Sequence, residues 1–405
     1  MSRAETGAQA GGRPRRSHRV DRVRVLVVNA GSSSLKLALL DHDDSMLAAQ
    51  ELEAPRARVD PEALSKALSS GLGEADAVGH RIVHGGERFR EAVVVDAEVE
   101  GQLRELVDMA PLHQPKSLAA LDAVSAALPS LPAVACFDTA FHATLPAAAS
   151  TYAVPAAWRE RWGVRRYGFH GLSHAWVARR APQLLERDAE GLRIVSCHLG
   201  AGASLCAIAD GCSRDTTMGF TPLEGLVMAT RSGSIDPGML LWLMEREELS
   251  PREMNGALEH QSGLLALAAT ADMREVVAMA GERYKSGGGG ELPEEDKSDG
   301  GRRARLALDL YVHRLRAGIA AMAASLGGLD VLVFTGGVGE RSAAVREHAA
   351  AGLAFLGVEL NGARNQAAKG DAEISAGSSG VATLVISARE DLEISRQVRA
   401  VLRKN

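Results

Sequence analysis

Three short glycine-rich turns contain the residue types that bind phosphate. Residues 29–34 (NAGSSS) and 200–204 (GAGAS) each lie between two strand-like runs, and residues 336–340 (GGVGE) follow a third run. Small residues let backbone amides approach phosphate oxygens, while serine hydroxyls and Lys36 add donors and positive charge. A single turn of this kind is more often a plain hairpin, but three in one chain favour phosphate binding. The Walker pattern GxxxxGK(S/T) does not occur, which excludes an ordinary P-loop.

Histidine, arginine and aspartate are concentrated in segments bounded by glycine or proline. These segments are GHRIVHGG (79–86), APLHQP (110–115), CFDTAFH (136–142), RYGFHGLSH (166–174) and ATRSGSIDP (229–237). Any one of the histidines would more often be structural. Loops at strand ends present reactive groups, however, and this set suits phosphoryl transfer, where positioning, Mg²⁺ and positive donors supply the rate. A metal centre or a Ser-His-Asp hydrolase is disfavoured because HExxH, paired Cys/His spacing and GxSxG are absent.

Strand and helix patterns alternate along the chain, which predicts an α/β fold. Strands at 23–28 and 35–40 enclose the first turn, and strands at 193–199 and 205–209 enclose the second. The two hairpins lie about 170 residues apart, which indicates an internal duplication. Further strands are predicted at 92–95, 133–137, 331–334 and 381–386. Helices are predicted at 61–70, 98–109, 117–127, 172–185, 239–246, 302–326, 343–354 and 392–404.

The composition limits the classes of protein to consider. A chain of 405 residues, 46% of them hydrophobic, is long enough for two domains. A net charge of −5 gives no basic field for nucleic acid or an anionic membrane, and no apolar run approaches the ~20 residues of a spanning helix. The four cysteines lack CxxC spacing, so we interpret them as reduced core thiols rather than metal ligands or disulfides. We therefore expect a cytoplasmic protein without nucleic-acid or membrane partners.

Two segments differ in composition from the rest of the chain. Residues 1–22 are polar and arginine-rich without an apolar h-region, so they are not a secretory signal. We expect a disordered basic extension there, with a transit peptide as the alternative. Residues 285–301 are glycine-rich and acidic, which predicts a flexible surface loop rather than a mobile lid.

Ten motifs between residues 25 and 395 resemble those of acetate kinase and occur in that family's order. They are NAGSSSLKLAL, GHRIVHGGE, APLHQPKSL, FDTAFHATLP, RYGFHGLSH, HLGAGAS, DTTMGFTPLEGL, TRSGSIDPG, FTGGVGERSA and ISAREDLEI. The resemblance implies an actin-like fold of two ribonuclease H-like domains with a cleft between them. Domain I would comprise residues 23–144 and 390–405, and domain II residues 145–389. It also implies a homodimer that transfers phosphoryl groups reversibly between ATP and acetate.

The resemblance further implies roles for single residues. Arg81 and Arg231 would bind the substrate carboxylate and the phosphoryl group in transfer, and His170 would donate to that group. Asp138 would act with them as a catalytic residue and help to hold the metal. The acyl substrate would meet Val83, Leu112, His113, Phe169 and Pro222.

The implied cofactors are Mg²⁺, with Mn²⁺ as a substitute, and ATP or ADP as co-substrate. Asn29 and Glu390 would be the metal-side residues, and Ser32 would lie near the metal-bound phosphates. The implied ATP-binding residues are Lys36, His198, Leu199, Gly200, Ala201, Gly202, Asp272, Met273, Arg274, Gly336, Gly337, Val338, Gly339 and Glu340.

The chain departs from the family pattern at several positions. Ala201 replaces an asparagine, Ser234 replaces an acid, and Arg341 stands beside the third turn; ISARED also differs, although its acid Glu390 remains. Our hypothesis is that Ala201 weakens ATP binding and that Arg341 compensates by adding charge. The alternatives are a propionate or other short-acyl kinase, with Val83 favouring acetate, and a pyrophosphate-dependent variant. A non-catalytic actin-like nucleotide-binding protein is a third alternative.

Overall fold

The computed structural model describes residues 23–31, 34–53, 60–70, 72–111, 113–281 and 298–404. Two six-stranded mixed sheets with helices packed against them make up this part of the chain, which confirms the predicted α/β fold with two related halves. The predicted extension at 1–22, most of the predicted loop at 285–301, and the predicted site residues Ser32 and Leu112 lie outside the described residues. Within the described ranges, no helix is both long and apolar enough to cross a membrane.

The first sheet is built around the hairpin that contains the first phosphate turn. Its strands are β1 Val25–Ala30, β2 Ser34–Leu40, β3 Met46–Glu53, β4 Ala77–Ile82, β5 Val93–Val94 and β6 Ala133–Phe137. Their order is β3-β2-β1-β4-β6-β5, with β1 antiparallel to β2 and parallel to β4, and β4 parallel to β6. The parallel strands β1, β4 and β6 therefore end at one edge of the sheet.

The second sheet repeats this arrangement strand for strand. Its strands are β7 Arg193–Leu199, β8 Ala203–Ala209, β9 Cys212–Thr216, β10 Val331–Thr335, β11 Ala372–Glu373 and β12 Ala382–Val385. The order β9-β8-β7-β10-β12-β11 matches the first sheet position by position. The pairing also matches, because β7 is antiparallel to β8 and parallel to β10, and β10 is parallel to β12. The duplication predicted from two turns thus extends over both sheets.

Helices cover the two sheets and connect their strands. The α-helices of the described residues are α1 Pro61–Ser70, α2 Ala97–Glu105, α3 Gln114–Ala127, α4 Ala147–Ser150, α5 Ala156–Trp162, α6 Gly171–Leu184, α7 Pro237–Arg246, α8 Pro251–His260, α9 Gly263–Ala268, α10 Met273–Met279, α11 Asp299–Ser325, α12 Gly336–Arg341, α13 Ala343–Ala351, α14 Gly362–Ala367 and α15 Glu390–Lys404. Single 3-10 turns occur at Leu106–Met109, Ala140–Thr144 and Ala354–Leu356.

The structure corrects several predicted elements. The helix predicted at 98–109 is α2 followed by a 3-10 turn, and the turn predicted at 336–340 is itself the short helix α12. Strands β3, β4, β9 and β11 were not predicted. Strand β4 carries Gly79, His80 and Arg81, so its sequence lacks the apolar alternation that indicates a strand.

The C-terminal helix α15 packs on the first sheet although it follows the last strand of the second. Its Ile394 and Val398, one turn apart, lie in an apolar cluster with Val25, Val134 and Cys136 of that sheet. Gly79 permits this contact, since a Cβ placed there would lie 2.5 Å from Ile394 Cγ2 and 2.7 Å from Val398 Cγ2. This contact is consistent with the assignment of residues 390–405 to domain I. The limits of the two domains stay a prediction.

A substitution at Gly79 tests this close packing. We expect Gly79→Ala to lower the free energy of unfolding by about 1–3 kcal/mol, because the added methyl forces α15 away from the sheet. In the matched variant Gly101→Ala the new methyl meets no atom within 4 Å on the outer face of α2. That variant should gain about 0.5–1 kcal/mol from helix propensity. Urea unfolding of both proteins measures the difference, and equal effects would contradict the packing.

Candidate active site

Four predicted site residues meet where β1, β4 and β6 end. Arg81 Nη2 and Nε donate to Asp138 Oδ2 at 2.6 and 3.0 Å, and Arg81 Nη1 donates to Asn29 Oδ1 at 3.1 Å. Asn29 Nδ2 in turn donates to Glu390 Oε2 at 3.0 Å. These bonds join three strands of the first sheet to the start of α15.

Asp138 is the most buried member of this group, with a side chain only 1% exposed. Burial raises the pKa of its carboxyl, and the guanidinium of Arg81 acts in the opposite direction. Burial also acts to lower the pKa of Arg81, but Asp138 and Glu390 raise it above its ordinary value. The second oxygen, Asp138 Oδ1, is buried and has no hydrogen-bond partner among the described residues. An unpartnered buried carboxylate oxygen is costly, so this atom is suited to a cation or a metal-bound water.

Two histidines stand beside the second phosphate hairpin. The rings of His170 and His198 are stacked with their centroids 4.4 Å apart. Burial lowers the pKa of both imidazoles, and the charge of Arg81 acts in the same direction, while Glu390 opposes the decrease at His198. Both rings are therefore neutral near pH 7 and can donate one N–H each. His170 has the left-handed backbone angle φ 55°, a strained conformation that places it at the start of α6.

The start of α6 is fixed to the end of the first sheet. The backbone N–H of Gly171 donates to the carbonyl of Asp138 at 2.8 Å. A Cβ on Gly171 would lie 2.1 Å from that oxygen, so only glycine fits here. Because this bond holds the two backbone segments side by side, His170 and Asp138 are fixed close to each other.

Arg231 reaches the same region from the loop before α7. Its Nε donates to Glu259 Oε2 at 2.7 Å, its Nη1 lies 3.3 Å from the Pro222 carbonyl, and its Nη2 lies 3.4 Å from His113 Nε2. Burial, assisted by the charge of Arg231, lowers the pKa of His113 to about 3. Neutral His113 can therefore accept a hydrogen bond from the guanidinium, and Glu259 fixes the direction of its fork.

Glu259 was missed in the sequence analysis. It lies on α8, 28 residues after Arg231 in the chain, and its side chain is only 6% exposed. The signal available was a capping box, Ser250 with Glu253, at the start of an unpredicted helix. An acidic residue on the buried face of such a helix requires a charged partner.

The second hairpin lies between these groups. A Cβ at Gly202 would be 3.3 Å from His170 Nε2 and 3.5 Å from Arg231 Nη1. Gly202, His170 and Arg231 therefore border one small space. Of the predicted acyl-pocket residues, Phe169 is buried in the main apolar cluster and Val83 packs against it.

A cavity of about 850 Å³ opens on the other side of the hairpin. Seven predicted ATP-binding residues line it: Gly200, Ala201, Asp272, Met273, Arg274, Gly337 and Val338. The departures Ala201 and Arg341 both face this cavity, and Arg341 Nη2 lies 2.6 Å from where a Cβ of Gly337 would be. Tyr311, Arg346 and Gln366 also line it and were not predicted.

The other predicted ATP-binding residues do not line this cavity. Leu199 is fully buried behind it, and Gly336 has φ 77° with its Cα hydrogens against the Leu199 backbone. Glu340 instead accepts from the Ala388 N–H at 3.0 Å, which links α12 to the segment before α15. Lys36 borders a separate cavity of about 620 Å³, together with Asn29 and Glu390.

Two duplicated sheets, each with a phosphate hairpin, and a cleft with two arginines beside a nucleotide-sized cavity define a phosphotransferase of the actin-like class. Residues 57–396 match the acetokinase family. The chain belongs to that family, which confirms the prediction from its ten motifs. Membership makes it an acetate-kinase-type enzyme with ATP as co-substrate and a divalent metal.

Individual relatives agree over most of their length. The acetate kinase of Nostoc sp. is 41% identical over 94% of this chain and 100% of its own length, and that of Gloeobacter violaceus is 47% identical over 82% and 78%. The Porphyromonas gingivalis acetate kinase structure has a TM-score of 0.82 at 35% identity, covering 94% of this chain and all of its own. A Francisella tularensis propionate kinase structure has a TM-score of 0.81 at 31% identity, covering 93% and 98%.

The buried histidines predict a pH-dependent stability. Burial lowers the pKa of His80 from 6.5 to about 3, and neither ring nitrogen has a partner among the described residues. As the pH falls below 6.5, the His80 imidazole binds a proton in the unfolded chain but stays neutral in the folded protein until about pH 3. The neutral imidazole of His80 therefore contributes stability that is present above pH 6.5 and is lost as the pH falls. We expect His80→Gln to reduce the loss between about pH 7.5 and 5.5 by about 1.4 kcal/mol. Urea unfolding at each pH measures it; exposed His313→Gln is the control, and an unchanged slope in His80→Gln would be contrary evidence.

Removing the charge that orients Arg231 should impair catalysis without removing Arg231. We expect Glu259→Gln to lower kcat/KM for the acyl substrate by about 10- to 100-fold, because the fork of Arg231 is no longer held in one direction. Glu245→Gln, on the exposed side of α7, is the control with the same change in charge. Steady-state kinetics over a range of acyl-substrate concentrations decides; equal rates in the two variants would reject the role of Glu259.

Proposed function

We propose that the chain catalyses reversible, Mg²⁺-dependent transfer of the γ-phosphoryl group of ATP to acetate, giving acetyl phosphate and ADP. An acetate oxygen forms a bond to the γ-phosphorus of ATP while the bond between that phosphorus and the β–γ bridging oxygen breaks. The electron pair of the broken bond stays on the bridging oxygen, which leaves as part of ADP. The observation that carries the proposal is the convergence of His170, Arg231 and Gly202 on one space, next to the cavity behind the hairpin. The transfer is direct and in line, with no phosphorylated residue.

Acetate is already ionised near neutral pH, so the reaction needs no general base. What the site must offset is the repulsion between a carboxylate and the phosphates of ATP. Arg81 and Arg231 supply two guanidinium groups, whose planar forks can hold a carboxylate or phosphate through two hydrogen bonds. Neutral His170 adds an N–H donor to the equatorial oxygens of the transferring group.

The donors at the first sheet fit a hard divalent cation. Asp138, Glu390 and the amide oxygen of Asn29 are oxygen ligands of the kind that Mg²⁺ takes, and Asp138 Oδ1 has no hydrogen-bond partner in the described part of the chain. No cluster of three or more His, Cys, Asp or Glu suited to a metal exists within the described residues, so water and phosphate oxygens would complete the shell. A bound cation would neutralise phosphate charge during transfer. Mn²⁺ would substitute for it.

The acyl pocket favours a short chain. Phe169 belongs to the main apolar cluster and Val83 packs against it, so the two would form its apolar wall. One extra methylene changes the transition-state energy by only ~1–3 kcal/mol. Propionate is accordingly a slower substrate in this proposal. We place the enzyme in the cytoplasm as a homodimer; the exposed apolar side chains of α7, Leu241 and Trp242, offer a surface for a second copy.

The test is formation of acyl phosphate, trapped as the hydroxamate, with ATP, Mg²⁺ and acetate, propionate or butyrate. We expect the highest rate with acetate. Arg231→Ala should lower kcat by about 10²–10³-fold because a donor aimed at the transferring group is lost. Arg180→Ala, which removes a surface ion pair with Asp371, is the control.

Two results would reject the proposal. One is the absence of acyl phosphate with every acid, whether ATP or pyrophosphate is the donor. The other is near-normal turnover in a folded Arg231→Ala protein. A higher rate with propionate than with acetate would show that the enzyme is a propionate kinase.

A further inference from the structure

A chain of buried histidines and serines extends from the cleft into the second sheet. His170 Nδ1 lies 2.9 Å from Ser204 Oγ, which lies 2.8 Å from His174 Nε2. His174 Nδ1 lies 2.9 Å from Ser196 Oγ. Ser196 on β7, Ser204 on β8 and His174 on α6 are all fully buried. The phosphoryl-transfer role assigned above uses only its first member, His170.

The hydrogen bonds of this chain can run in two directions. Each serine hydroxyl has one hydrogen, and each neutral imidazole has one N–H and one bare nitrogen. In one direction, Ser204 donates to His170 Nδ1 and Ser196 donates to His174 Nδ1. In the other, His170 donates from Nδ1, and the hydrogen at the far end lies on Ser196.

The far end of the chain selects between the two directions. In the described part of the protein, His174 Nδ1 is the only hydrogen-bond partner of the Ser196 hydroxyl. If Ser196 accepted from His174, its own hydrogen would be buried without an acceptor, at a cost of about 1–3 kcal/mol. Ser196 therefore donates to His174 Nδ1. His174 then carries its hydrogen on Nε2 and donates to Ser204, whose hydroxyl donates to His170 Nδ1.

This direction places the hydrogen of His170 on Nε2. That nitrogen lies on the side of the ring that faces the hairpin, 3.3 Å from the Cβ position of Gly202. Arg231 Nη1 borders the same space at 3.5 Å from that position. We infer that Ser204 and His174, with Ser196 at the end, are positioning residues that hold His170 as an Nε2–H donor aimed at the transferring phosphoryl group. The inference rests on the proposed function of His170.

The neighbouring histidine follows the same rule. Ser173 is fully buried, and the Nδ1 of His198, at 2.8 Å, is the only hydrogen-bond partner of its hydroxyl among the described residues. Ser173 therefore donates, and His198 also carries its hydrogen on Nε2, which lies 3.9 Å from the Cβ position of Gly200. Two neutral donors are thus set before the substrate binds. A neutral donor stabilises charge that develops in transfer without binding the ground-state anions as tightly as a cation would.

A serine–histidine pair outside the cleft provides a matched control. His142 Nδ1 lies 2.8 Å from Ser213 Oγ, and its Nε2 lies 3.0 Å from the Phe169 carbonyl. A carbonyl only accepts, so His142 is also protonated on Nε2, but this hydrogen points into the protein rather than the cleft. Ser213→Ala removes the same kind of bond as Ser204→Ala, at a similarly buried position.

The experiment combines spectroscopy with kinetics on the full-length chain labelled with ¹⁵N-histidine. Long-range ¹H–¹⁵N spectra distinguish protonated from bare ring nitrogens, and His170→Gln assigns the His170 signals. We expect Nε2–H in the wild type and a mixture of tautomers in Ser204→Ala. The kcat of Ser204→Ala should fall by about 10- to 100-fold with little change in either KM. Ser213→Ala should keep its kcat, and Ser204→Thr, which retains the hydroxyl, should recover activity.

If Ser204→Ala does not fold, Ser196→Ala tests the same chain from its end, with a smaller loss of kcat and the same mixture of tautomers. An Nδ1–H tautomer for His170 in the wild type would overturn the inference. So would full kcat in both serine variants. The proposed function is judged separately, by His170→Ala: if that variant kept normal turnover, the role of His170 would fail even though the tautomer measurement stood.

Discussion

The buried pair between Arg81 and Asp138 is the interaction on which the arrangement of the cleft depends. It joins β4 to the end of β6, and through Asn29 and Glu390 it reaches β1 and α15. Two buried charges repay their desolvation only when their geometry is good and their remaining atoms are satisfied. Here one carboxylate oxygen takes two guanidinium bonds, and the other is left for a cation. One aspartate thus orients an arginine and, in the proposed function, would offer its second oxygen to the metal.

Neutral histidine rings surround Arg231 beside the second hairpin, whereas the site at the end of the first sheet is built from charged side chains. Burial keeps the pKa values of His113, His170 and His198 low, so imidazole rings can lie beside arginines without repulsion. Beside these rings, Arg231 supplies a fixed positive charge, and Glu259 holds it in place. A carboxylate and a phosphate chain would thus meet positive charge from both walls, while the hydrogen-bond donors between them carry none.

Much of this could be predicted from local sequence. The hairpins around residues 29–34 and 200–204 are short-range signals, and the long amphipathic helix α11 has a clear 3.6-residue period. Strand β4 could not be found in this way, because a strand that carries His80 and Arg81 has polar residues where the pattern requires apolar ones. Site residues often break local rules for this reason.

Long-range partners are the other part that sequence could not supply. The capping box at the start of α8 indicates a helix, but the contact of Glu259 with Arg231 depends on how that helix packs, which the sequence spacing does not show. Glu340 belongs to a familiar motif, yet it bonds to the Ala388 backbone instead of lining the cavity. Motif membership indicates that a residue is near a site, but the direction of its side chain comes from packing.

The bond between Gly171 and the Asp138 carbonyl has a mechanical consequence. Asp138 ends a strand of the first sheet, whereas His170 begins the helix that precedes the second. The contacts of α6 with α15 and of the 3-10 turn Ala140–Thr144 with β9 join the same two halves, so a rotation of one sheet against the other would pivot about this segment. Points on the pivot move least, so Asp138 and His170 would keep their separation while Arg231 and the nucleotide cavity swing through larger arcs. The cleft would then open and close about the segment that joins the two sheets, with Asp138 and His170 close to the axis of rotation.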